Sequence, residues 1–215
     1  MKKKTLTIAI ALVLVVALAV GATYAYLMAE TKAVTNTFAA GSVIDNKDFL
    51  LQEHKVAYDN ASGTYKYVDQ QGAFVAAGTV VTDENKYEQI APKTTAPKDP
   101  YIQFNAEVKS PAYLFVKVTD TTTGITANVD TTKWTELTGD DLKLGAHEKL
   151  YVYKDIITVG THSDPYYILE GNQITASETG TIGGSLVFNG YLCQAAGFHS
   201  AAEAFNQCFG TTTGA

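Results

Sequence analysis

The 215-residue chain contains no arginine, so all 16 of its basic residues are lysines. Arginine supplies the bidentate contacts that grip phosphate and read guanine edges. Its absence, together with a formal net charge of -6, argues against nucleic acid as a partner. Histidine is also sparse: His54, His147, His162 and His199 are never closer than 15 residues. That spacing excludes an H-E-x-x-H zinc motif, whose two histidines fall one helical turn apart. There is no G-x-S-x-G nucleophile elbow and no D-x-D-x-D-G calcium loop. Asp130, Asp140 and Asp141 therefore read as solvated acidic turns. Gly183-Gly184 has no following helix or phosphate-binding lysine, and reads as a turn or bulge. No catalytic residue, metal ligand or cofactor is expected, and the chain does not read as an enzyme.

Cysteine is limited to Cys193 and Cys208. In an exported chain the pair reads as a disulfide closing a loop of about 15 residues, worth about 3 kcal/mol in the chain-entropy picture. Two buried free thiols are the alternative. A structural zinc site needs more ligands than these two and His199 can offer. Proline is limited to five residues, three of them in the stretch 83–100, which reads as an irregular loop or edge.

Charge is missing altogether from Thr5 to Ala29, directly after the cluster Lys2, Lys3 and Lys4. The strictly apolar part, Ile8–Val20, is 13 residues long and gives way to small residues at Gly21, Ala22, Thr23 and Ala25. A basic start, a short apolar run and a small-x-small exit are the parts of a secretory signal. Cleavage is expected after Ala25, with Thr23 and Ala25 in the peptidase pockets and Tyr26 as the new N-terminus. The alternative is a retained anchor, since about 20 apolar residues suffice to span a bilayer. On either reading the bulk of the chain lies outside the cytoplasm, and the membrane is met only through an uncleaved signal. Removing residues 1–25 takes three lysines with it, and the formal charge moves from -6 to -9.

What the remaining chain has in quantity is Thr, Val, Phe and Tyr, including 13 tyrosines. Branched and aromatic side chains suit a pleated, half-buried surface, and turn pairs such as Asp59-Asn60, Ser62-Gly63, Gln71-Gly72 and Thr123-Gly124 punctuate it. Strands are predicted at 49–58, 72–82, 101–109, 112–119, 149–157 and 185–192. In 101–109, Ile102, Phe104, Ala106 and Val108 alternate with polar residues. Only Ser110-Pro111 separates this run from the next, which predicts an antiparallel hairpin. Ser200 followed by Glu203 is a capping-box pattern, and predicts a helix from Ala201 to Phe209 with Gly210 as its stop. Tyr151, Tyr153, Tyr166 and Tyr167 read either as a sugar-stacking platform or as ordinary amphipathic sheet residues. Asn60-Ala61-Ser62 fits a glycosylation acceptor, a sequon usually idle in bacteria. No L-P-x-T-G-type element appears, so covalent wall attachment is not expected.

The exit Gly21–Tyr26, followed by Val34-Thr-Asn-Thr-Phe-Ala-Ala-Gly41, resembles the SipW-dependent exported proteins of Gram-positive bacteria. These include the TasA and camelysin (CalY) biofilm-matrix and spore-coat-associated proteins. Asn36, Thr37, Phe38 and Gly41 match that family's N-T-F-x-x-G element. The stretches Ile90–Pro92, Lys98–Pro100, Pro111–Lys117 and Tyr191–Phe198, with Ala201–Phe205, resemble its centre and closing strand. Ala91-Pro92 departs from the Pro-Gly of many relatives, and 120–180 carries no resemblance. The resemblance implies a mainly β, jelly-roll-like antiparallel β-sandwich with a short C-terminal helix, spanning 38–215. It further implies processing by a dedicated signal peptidase and self-association into matrix or cell-surface fibres by strand addition. The donor segment would be 26–37, with Leu27 and Val34 near its ends and Glu30 and Lys32 giving it a charged middle; a flexible tail is the other reading. The alternative functions are a monomeric adhesin or carbohydrate-binding module and, third, a camelysin-type metallopeptidase.

Overall fold

A computed structural model describes residues 28–30 and 43–210, Thr179 excepted. Among these residues the chain runs β1 (Met28–Glu30), β2 (Phe49–His54), β3 (Val56–Asp59), β4 (Thr64–Val68) and β5 (Phe74–Val75). It continues through β6 (Val81–Thr82), β7 (Thr95–Pro97), β8 (Tyr101–Phe104), β9 (Ala112–Asp120) and β10 (Ile125–Thr126). Then come β11 (Trp134–Leu137), β12 (Glu148–Tyr153), β13 (Tyr166–Tyr167), β14 (Gln173–Ala176), β15 (Leu186–Gln194) and helix α1 (Ala201–Phe209). The fold is mainly β with one short C-terminal helix, as the sequence leads one to expect, and its sheets pack as a β-sandwich.

The largest sheet has the order β1-β15-β9-β12-β11, and facing it is the sheet β13-β8-β2-β6. Two three-stranded sheets, β10-β14-β7 and β3-β4-β5, flank them. Every pairing is antiparallel. Pro97, which cannot donate to a ladder, sits in β7 at a sheet edge, where that loss costs least.

Strand alternation sorts the side chains into two cores. Leu114, Val116 and Val118 of β9 join Phe188 and Leu192 of β15 and Ile102 and Phe104 of β8 between the facing sheets. Phe115, Leu150, Val152, Tyr191 and Cys193 point the other way, where Ala204, Phe205 and Cys208 of α1 cover them. Each fully buried Leu or Phe contributes about 2 kcal/mol of transfer free energy. Where α1 covers them, the central strands of the large sheet are thus buried on both faces. Trp134, at the edge strand β11, donates its Nε1–H to the Tyr167 carbonyl at 2.9 Å and so ties the large sheet to β13.

Helix α1 begins and ends where its sequence places it. Ser200 Oγ accepts the Glu203 N–H at 3.1 Å, and the Gly210 N–H closes onto Asn206 and Phe205 carbonyls. The Glu203 carboxylate takes the His199 N–H at 2.8 Å, one residue earlier than in a standard capping box.

Three expectations are corrected. Residues 101–109 and 112–119 form no hairpin, because β9 has both flanks taken, by β15 and β12, while β8 pairs with β2 and β13. After Phe104 the chain crosses between sheets, with the Val108 N–H on the Thr161 carbonyl and the Lys109 N–H on the Val43 carbonyl. The run 49–58 is two strands in different sheets, broken at Lys55, whose N–H turns to the Val80 carbonyl. Asn85 staples the break: its Nδ2 donates to the His54 carbonyl at 2.8 Å and its Oδ1 accepts the Val56 N–H at 2.9 Å. The run 72–82 forms only the two-residue strands β5 and β6, because its middle closes over His54 as irregular chain.

Candidate functional site

Two features stand out beyond the packed cores: the N-terminal edge of the large sheet, and an ionic cluster buried at the end of β2. At the edge, β1 lies antiparallel on β15, with Met28 opposite Cys193, Ala29 opposite Leu192 and Glu30 opposite Tyr191. β15 is nine residues long and this pairing spans three of them. On its other side β15 is paired with β9 along its whole length.

The C-terminal end of β15 is fixed by the Cys193–Cys208 disulfide, which joins strand to helix with the Cα atoms 6.6 Å apart. Phe205 and Phe209 stack over Tyr191 from the helix, at 5.3 and 5.0 Å between ring centroids. The strand that receives β1 is therefore braced from behind by a covalent link and a layer of aromatic rings.

The second feature lies at Glu53 and His54. Strand alternation sends these neighbours to opposite faces of β2, and Lys98 and Asp99 meet them pairwise. Lys98 Nζ lies 2.5 Å from Glu53 Oε2, and both side chains are about nine-tenths buried. Asp99 accepts the His54 N–H at 3.0 Å and its ring Nδ1–H at 2.7 Å. The His54 ring is gripped by Tyr101 and Tyr67, and a Cβ built at Gly78 would collide with it, so a side chain there is excluded. Tyr87 donates its hydroxyl to the Pro97 carbonyl at 2.6 Å.

Burial raises the hydroxyl pKa of Tyr87, and the carboxylates of Glu53 and Asp99 raise it further. Tyr67 is pushed up by burial first and by Asp99 second. Tyr101 moves the same way, through burial and then the neighbouring Tyr167 and Asp99. These phenols stay neutral donors at any physiological pH, which suits a shell around buried carboxylates.

The sequence-predicted site residues divide sharply. Cys193 and Cys208 are brought together. Thr23, Ala25, Tyr26, Leu27, Val34, Asn36, Thr37, Phe38 and Gly41 lie outside the described residues. The sequence places Lys98 and Asp99 in a stretch of family resemblance and His54 among the sparse histidines, but it does not bring Glu53, His54, Lys98 and Asp99 together. The signal available was a charged pair, Glu53-His54, closing an otherwise apolar run. Among the described residues no three His, Cys, Asp or Glu side chains gather where they could hold a metal ion, and no helix is long and apolar enough to cross a membrane.

No protein-family model, curated protein or solved structure matches this chain.

Proposed function

We propose that this chain is an exported structural subunit of the TasA and camelysin type, assembling into extracellular matrix or cell-surface fibres by strand addition. The observation that carries this reading is the seat of β1 on β15. An N-terminal segment already paired to a sheet edge within one copy is also suited to the same edge of the next copy.

In the assembled state the pairing runs on in the same register, which sets Ala33 opposite Phe188 and Val34 opposite Val187. Val187 is 42% exposed, so a partner strand there would cover it. Each ladder hydrogen bond adds about 1 kcal/mol net. Export by a dedicated signal peptidase would release the segment by cutting after Ala25.

The test is electron microscopy of residues 26–215 beside a variant lacking 26–37. Filaments from the longer chain and none from the shorter, which stays folded by circular dichroism, are expected. Equal filament formation by both would overturn strand addition.

A further inference from the structure

We propose that Lys98 and Glu53 join in an intramolecular isopeptide bond, Nζ to Cδ, formed by the folded chain itself. The geometry has four parts. Lys98 Nζ is 2.5 Å from Glu53 Oε2, with the two side chains 11% and 6% exposed. The amine is enclosed by aromatic rings, 5.7 Å from the centroid of Tyr87 and 6.0 Å from that of Phe188. Glu53 Oε2 is a buried carboxylate oxygen that accepts no hydrogen bond among the described residues. The nitrogen is thus close to the carboxyl group but not along the direction that a hydrogen bond takes, so the contact is an ion pair by distance only.

The fourth part is rigidity. Glu53 is held in β2, which is paired with β6 and β8. Lys98 is held by its own N–H on the Asn172 carbonyl at 2.9 Å, and its neighbour Asp99 is clamped by His54. Two reactants fixed in contact by a folded scaffold gain effective molarities of about 10⁵ M or more. Exclusion of water removes the competing hydrolysis.

The step balances without any co-reactant. A proton passes from the Lys98 ammonium to the Glu53 carboxylate, leaving an amine and a carboxylic acid. The Nζ lone pair adds to Cδ and forms the C–N bond. The C–O bond to the hydroxyl breaks, and that hydroxyl departs with a proton from nitrogen as one water molecule. Nothing is oxidised or reduced, and two opposite charges become one neutral amide. The product ties β2 to the segment between β7 and β8 by a link that thiols cannot reduce.

Intact mass spectrometry of the purified chain, with its termini fixed by peptide mapping and its disulfide reduced, tests this. The expected mass is one water below that of the sequence, with a branched peptide joining Lys98 to Glu53 in the digest. Glu53→Gln should form the same bond with loss of ammonia instead of water, and Lys98→Met should remove the deficit. A reduced chain at its full sequence mass, with the two peptides recovered separately, overturns the proposal. So does a water deficit mapped elsewhere or retained in Lys98→Met. The wild-type mass decides the matter even if a variant does not fold.

Discussion

The ring of Phe205 meets the ring of Phe115 edge-on, with centroids 5.3 Å apart, and through that contact the C-terminal helix closes the outer face of the large sheet. Phe115 is fully buried and Phe205 nearly so. Truncating the helix partner leaves a cavity against a strand that cannot shift, because both of its edges are paired. Phe205→Ala should cost about 3–4 kcal/mol, read as a lower urea midpoint with an unchanged slope.

The disulfide behind that contact should act in the same direction. It closes a loop with a sequence separation of 15, for which the chain-entropy picture gives about 3 kcal/mol. Replacing both cysteines by serine, or adding reductant to the wild type, should lower Tm. Reductant should leave the Tm of the double variant where it is.

At the end of β2, Asp99 is the single acceptor for two donors of His54. Asp99→Ala leaves both unpaired inside the protein and should cost about 3–5 kcal/mol, the range for breaking a buried pair. Asp99→Asn keeps a carbonyl oxygen for one of the donors, and its urea midpoint should lie between those of wild type and alanine.

Acid should weaken the β3–β4 hairpin. Asp59 accepts the Ala61 N–H at 2.9 Å, the Ser62 hydroxyl at 2.7 Å and the Lys66 ammonium at 2.7 Å. The ammonium of Lys66, then these other donors, hold its carboxyl far below the usual aspartate range. The folded chain therefore takes up this proton less readily than the unfolded chain. The stabilisation is complete above an unfolded pKa of about 4 and fades as pH falls below it. Asp59→Asn should flatten the loss of stability on acidification between about pH 4 and pH 2, measured by urea unfolding at several pH values.

The parts of this fold that show in the sequence are those set by neighbours within a few residues. Ser200, Glu203 and Gly210 bracket the helix because capping involves groups three or four positions apart. The alternation of Leu114, Val116 and Val118 marks β9 and its inward face. Phe115 sits on the other face and gives no hint that a helix 90 residues later will cover it. Strand partners are still less visible. Ser110-Pro111 looks like a hairpin turn, yet it carries the chain from one sheet to the other, because the choice of partner rests on which edges distant segments have already filled. Glu53 and His54 meet Lys98 and Asp99 across 45 residues. Nothing local distinguishes such a charged pair from one that faces water.

β9 has a paired strand along each edge and buried side chains on each face. Solvent can reach its central amides only when the sandwich comes apart as a whole. Deuterium should therefore label Leu114, Phe115 and Val116 last, at a rate that tracks complete unfolding. Their exchange gives a clock for the whole sandwich that opening of its outer hairpins leaves untouched.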